Sequence, residues 1–313
     1  MPNNTATGVS TSNILQTVFY TLLALTAFAA NSVLCRLALE MRVDGAAIDA
    51  GSFTIVRLAS GIAALLLIFW IRSLIQKTAG KAPNESGVKS NGSWFAAIML
   101  FLYAAGFSYA YISLETGTGA LILFGVVQMT MIGVSIYNGN KLHYTEWIGV
   151  ALAFAGFAYL MLPGVSAPSM QGLVLMTIAG VAWGYYTLAG KKTQDPLRDT
   201  SFNFLRTTPF ILALAFYNYE GYYFSAQGLM LAVASGALTS GVGYTIWYIA
   251  LRSLKTMQAA VLQLLVPVIA ALGGVLFVNE ALTNRLLVSA ILILGGILLV
   301  VVGKKLLASK ASA

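Results

Sequence analysis

"SFTIVRLASGIAALLLIFWI", Ser52 to Ile71, is a twenty-residue run with one charged residue, Arg57. A membrane-crossing helix needs about 20 mostly apolar residues, so the run is long enough to span a bilayer. A near-copy of its opening, "SFNFLR", stands at Ser201 to Arg206. It too opens an apolar stretch and sets an arginine about six residues in. Two questions follow: whether the chain is built from two copies of one unit, and why a cation sits twice where oil should be.

The composition agrees with the first run. Of 313 residues, 58% are hydrophobic and 9% are charged, against roughly 25% charged in soluble domains. Lipid is therefore the solvent for most of the chain. Ten candidate spans can be marked: 14–35, 50–71, 94–114, 117–137, 144–163, 170–190, 201–219, 226–250, 256–278 and 284–303. The longest connection, "QKTAGKAPNESGVKSNG" (Gln76 to Gly92), is rich in Lys, Gly, Ser and Asn and reads as a loop. The N-terminal "MPNNTATGVSTS" has no Lys or Arg, so it lacks the basic region of a signal peptide. The first apolar run is expected to remain as a span.

Lys and Arg are biased toward cytoplasmic segments. With the N-terminus inside, 13 of the 18 basic residues fall in inside segments and three, Arg36, Arg42 and Arg285, fall outside. The net charge of +8 then reports topology, and no nucleic acid partner is expected.

The duplication extends past the two arginines. "NKLHYTEWIGVALAFAGF" (Asn140 to Phe157) aligns without gaps on "NEALTNRLLVSAILILGG" (Asn279 to Gly296) at an offset of 139. The halves are 1–165 and 166–313, with five spans each. Five is odd, so the second half enters the membrane upside down. The expected fold is an all-α integral membrane protein of ten transmembrane helices, two inverted five-helix repeats with cytoplasmic N- and C-termini, an architecture of secondary transporters.

Polar groups inside spans are functional candidates because burial in lipid is costly. Arg57 and Arg206 are expected at matching depths below opposite surfaces. They read as gate residues, or as structural groups paired with Glu40, Asp44 or Asp49 outside and Asp195 or Asp199 inside. The neutral candidates are Asn31, Gln128 and Gln263. Pro267 lacks an N–H, so it should interrupt its helix and free the Gln263 carbonyl, four residues back, as an acceptor; a plain packing kink is the alternative. Aromatic candidates are Tyr103, Phe107, Trp183, Tyr186, Tyr244 and Trp247. Tyr103 and Phe107, four apart, share a helical face. Rings beside small residues suit a flat ligand through stacking and cation–π contacts; packing between helices is the bland reading. Gly149, Ala153 and Gly156 in the fifth span, with Ser289, Gly295 and Gly296 in the tenth, allow close approach. Either those spans brace each other, or they form a homodimer face.

Several chemistries have no residues to carry them. The sole histidine, His143, lies in a short turn, and the sole cysteine, Cys35, lies in an apolar run. No metal-ligand cluster, phosphate loop or dinucleotide motif occurs, so neither a metal nor another cofactor is expected. Glu115, Glu146, Glu220 and Glu280 fall at turns, Glu280 as a helix-end cap, and no carboxylate lies deep in a span. An enzyme is not supported.

"AVLQLLVPVIAALGGVLFVNEALTN", together with the ten-span duplicated plan, resembles the drug/metabolite transporter superfamily and its EamA-type repeat. The first half departs from the pattern, with Gln128 where the proline would be and Lys141 where the glutamate would be. Within the superfamily the chain is most similar to bacterial exporters of aromatic amino acids. The resemblance implies a central cavity lined by spans 1, 3, 4, 6, 8 and 9. It also implies export of amino acids and related metabolites across the bacterial inner membrane. An organic-cation exporter of the same superfamily, or a membrane scaffold that transports nothing, are the alternatives.

Overall fold

A computed structural model describes residues 11–40, 47–78, 92–140, 142–162, 167–191, 193, 195–217, 221–254 and 256–311. Most of the 76–92 loop, Asp44, Lys141, Glu220 and the chain termini lie outside them. The first half holds α1 (Thr11–Leu39), α2 (Ala50–Thr78), α3 (Trp94–Ala110), α4 (Thr116–Tyr137) and α5 (Tyr144–Leu160). The second begins with α6 (Met170–Gly190), α7 (Pro196–Leu205) and α8 (Thr208–Tyr217). It continues through α9 (Ala226–Val233), a π segment (Ala234–Val242), α10 (Gly243–Leu251), α11 (Thr256–Gln263), α12 (Leu265–Gly273), a second π segment (Gly274–Val278) and α13 (Asn284–Ala311). Among the described residues seven helical stretches are long and apolar enough to cross a membrane, and Trp94–Ala110 and Tyr144–Leu160 are shorter apolar helices.

Helix starts carry side-chain caps. Ser93, Ser169 and Ser225 accept from the backbone N–H groups of Ala96, Gly172 and Gly228, satisfying donors that a helix start leaves unpaired. His143 and Glu146 form a capping box at α5. Asp195 caps α7, with Pro196 in the first turn.

Prolines account for the two breaks. Pro209 cannot donate to the Leu205 carbonyl, and the Thr208 hydroxyl donates to it instead, at 2.6 Å. The seventh span of the sequence reading is therefore two helices that start at Pro196, not one run from 201. Pro267 acts as the sequence implies: the helix is interrupted between Gln263 and Leu265, where the Leu264 N–H turns back to Val261 O at 3.1 Å.

The α5–α13 contact uses the small residues. A Cβ on Gly149 would stand 2.5 Å from Gly296 O, and one on Gly156 would stand 2.8 Å from Leu292 Cβ. Ala153 and Ser289 are fully buried. Of the two readings of these small residues the structure shows the internal brace, since this face is spent within one chain, while Gly295 looks onto open space.

Candidate functional site

Six elements bring their polar and aromatic side chains to one point. Asn31 comes from α1, Arg57 from α2, Tyr103 and Phe107 from α3, Trp183 and Tyr186 from α6, Ser235, Thr239 and Ser240 from the first π segment, and Tyr244 and Trp247 from α10. All are buried in protein. The π segment matters here, because a π turn re-aims side chains and such turns recur at functional sites. Gly236 within it lets α2 approach: a Cβ there would overlap the Arg57 carbonyl oxygen.

Arg57 is the centre. Its Nη2 donates to Tyr103 Oη at 3.0 Å and to Tyr244 Oη at 3.3 Å, and its Nε donates to Ser240 Oγ at 3.3 Å. Its guanidinium carbon lies 5.0 Å from the Tyr103 ring centroid and 4.9 Å from that of Phe107, within cation–π range. Asn31 Nδ2 donates to Tyr103 Oη at 3.2 Å, and Asn31 Oδ1 faces the Ser235 and Thr239 hydroxyls. The Tyr103 and Tyr244 hydroxyls are 3.4 Å apart.

The rings form a continuous wall. Tyr103 and Trp183 have centroids 4.7 Å apart, Trp183 and Tyr244 4.8 Å, and Trp183 stacks on Tyr186 at 5.3 Å. Phe28, absent from the sequence candidates, lies edge-on to Trp183, Tyr244 and Trp247. One turn along α6 and α10, Thr187 and Tyr248 line a cleft of about 270 Å³ with Met131, Lys191, Arg252 and Gln263. Partial burial holds Lys191, at its mouth, below the usual lysine range.

The opposite end holds a polar cluster. Glu280 accepts from Thr116 N with both carboxylate oxygens, at 2.8 and 3.0 Å, and from Arg36 Nε at 3.1 Å. Arg36 Nη1 also donates to Tyr111 O at 3.1 Å. Nearby, Asp49 accepts from Ser52 N and Tyr223 N, and Ile48 bridges Phe224. Burial, and then the charge of Glu280, raises Glu115 above the usual carboxylate range.

The structure changes several sequence expectations. Arg57 is 1% exposed and lies in the ring cluster, with no acidic side chain within ion-pair distance among the described residues. Its expected partner Glu40 pairs with Arg36 instead. Arg206 does not mirror it: partly exposed at the α7 C-terminus, it lies over Trp94 and Phe202. Glu280, expected as a helix-end cap, caps the start of α4. Asp199 is buried in the first turn of α7, outside the spans, accepting from Gly92 N and Thr193 Oγ1. Gln128 is buried in α4 with its Nε2 unbonded, and Gln263 Oε1 is unbonded beside the cleft. Pro267 faces an apolar crevice with Gly117, Leu121 and Leu286, away from the rings. Among the described residues no cluster suited to a metal occurs.

A model of the EamA-like transporter family matches residues 170–302. An uncharacterised protein of Pseudomonas aeruginosa is 44% identical over 273 residues, which is 87% of this chain and 89% of that protein. An uncharacterised transporter of Archaeoglobus fulgidus is 26% identical over 68% of this chain and 74% of its own length. A solved structure titled only as the crystal structure of a protein superposes with a TM-score of 0.61 at 16% identity. It covers 95% of this chain and 99% of that one, a likeness of fold.

Proposed function

The chain belongs to the EamA-like transporter family, and from that premise we propose that it is a secondary transporter exporting amino acids, aromatic ones with broad selectivity, across a bacterial inner membrane by alternating access. Its halves, 1–165 and 166–313, are two inverted five-helix repeats making ten passes with both termini in the cytoplasm. Paired contacts support a two-fold relation between the halves. α3 packs on α6 as α1 packs on α10, α4 on α6 as α1 on α12, and α2 on the first π segment as α3 on α7. Equivalent spans also meet each other, as α5 with α13, α4 with α12, and α2 with α7 and α8.

The observation that carries the reading is the position of the ring cluster. It lies between the halves, below a cleft bordered by Lys191 and Arg252 on the basic, cytoplasmic side. The Arg36–Glu280–Thr116 clamp closes the other side. A substrate entering the cleft meets Tyr248 and Gln263, then the wall of Trp183, Tyr244, Trp247 and Tyr103. Opening the clamp while the cleft shuts releases it outside. Organic-cation export is less well served, because among the described residues no carboxylate pairs with Arg57 at the centre of the cluster.

Reconstituted liposomes test the reading with labelled phenylalanine, threonine and methyl viologen, with and without a pH gradient. Phenylalanine flux indifferent to the gradient is expected. Flux of methyl viologen alone would favour the cation exporter, and flux of no solute would favour the scaffold.

A further inference from the structure

We infer that Arg57 is a receptor for the substrate's carboxylate, so that the substrate class is aromatic monocarboxylates and the amino group is dispensable. The inference rests on the transporter reading above and deepens it.

A guanidinium has five N–H donors and no acceptor. Arg57 spends one on Ser240, one on Tyr103 and one on Tyr244. Nη1 is fully buried and bonds nothing, so both of its hydrogens are available. Every acceptor that Arg57 does have is neutral. A charge taken out of water is ordinarily paired, because desolvation costs far more than neutral hydrogen bonds return. Among the described residues no acidic side chain pairs with it, and the two ring faces at 5.0 and 4.9 Å give only a partial substitute.

The neighbours sharpen the preference. Tyr103 Oη already accepts from Arg57 and Asn31, and Asn31 Oδ1 already faces two hydroxyls. The cluster is thus rich in donors and short of acceptors. A carboxylate completes it through the charge-assisted, two-pronged geometry that arginine favours, while its aromatic ring rests against Trp183, Tyr244 and Phe28. Among the described residues an ammonium finds no negative charge beside Arg57. The cleft ends one turn away, at Thr187 and Tyr248, so the rings must part slightly to admit the ligand.

The test uses the full chain in detergent. Binding is followed by quenching of its tryptophans, of which Trp183 and Trp247 line the site. The probes at neutral pH are phenylacetate, its neutral isostere phenylacetamide, and the cation phenethylamine. The wild type should bind phenylacetate at least about tenfold more tightly than phenylacetamide, and phenethylamine least. Arg57→Gln should bring phenylacetate and phenylacetamide to parity. Arg57→Lys, which keeps the charge but loses the fork, should retain a reduced preference. Should Arg57→Gln not fold, the wild-type comparison decides alone. Equal binding of acid and amide by the wild type, no binding of either at millimolar concentration, or a preference unchanged in Arg57→Gln overturns the inference. Phenylalanine flux in liposomes separates the two levels. Flux without a charge preference refutes the receptor only, whereas a charge preference without flux refutes the transport reading.

Discussion

Replacing Glu280 with glutamine should loosen the outer closure. The carboxylate takes two contacts from Thr116 N and one from Arg36 Nε, and the side chains of Arg36 and Glu280 are only 14% and 10% exposed. Glutamine keeps the shape and one oxygen, but removes the charge and puts an NH2 where an acceptor stood. Bonds to charged groups contribute about 1.5–3 kcal/mol each, and a mostly buried pair broken on one side costs about 3–5 kcal/mol. With Arg36 still held by Tyr111 O and Glu40, the net loss should be about 2–4 kcal/mol. The clamp joins α1 and the start of α4 to the turn before α13, so the loss falls on the outward-closed state. At 1.4 kcal/mol per factor of ten, opening becomes roughly thirtyfold to several-hundredfold more frequent. Ser32→Cys in a Cys35→Ala chain reports on this, since position 32 is 1% exposed and one turn inward of Arg36. An impermeant maleimide added outside should label it at least about tenfold faster with Glu280→Gln than without, as opening-limited access requires. An unchanged labelling rate would refute the gate.

Trp183→Ala should reduce flux of aromatic substrates more than that of threonine while expression is kept; equal loss for all solutes makes Trp183 a packing residue. Gly149→Ala drives a methyl to 2.5 Å from Gly296 O and should destabilise the chain by about 1–3 kcal/mol, seen as a lower thermal midpoint; an unchanged midpoint contradicts the α5–α13 brace. Glu115 has a folded pKa above its usual 4.5. Its stabilising effect is therefore present below that value and lost as pH rises through the folded one. Relative to Glu115→Gln, the wild type should lose stability from acid toward neutral pH, and parallel pH profiles would refute the cause. Phenylalanine flux should not follow a pH gradient; flux that follows it would contradict facilitated diffusion.

Much of the helical plan was legible, because twenty-residue apolar runs and the Pro267 interruption act locally. Asn31, Tyr103, Phe107, Trp183, Tyr186, Tyr244 and Trp247 were legible as candidates for the same reason: polar or ring-bearing groups stand out in oil. What escaped depends on contacts between distant segments. Counting residues from the start of α2 gives the depth of Arg57 but not the direction it faces, so nothing local showed that it meets Ser240 and Tyr244, 183 and 187 residues away. The π segment has no strong local signature, and with it Ser235, Thr239 and Ser240 were missed. Phe28 sits in an apolar run of α1 with nothing local to set it apart. Glu280 could be seen to cap a helix, but not which one. Pro209 is a readable local signal for the α7–α8 break.

Two halves of opposite orientation remain the premise on which the gate and the cleft both depend. Tyr144 and Asn284, both exposed, open α5 and α13, the pair aligned by the internal repeat. Single cysteines at these positions, in a Cys35→Ala chain, should react with an impermeant thiol reagent from opposite sides of oriented vesicles, position 144 from the cytoplasmic side and position 284 from outside. Labelling of both from the same side would contradict the inverted arrangement.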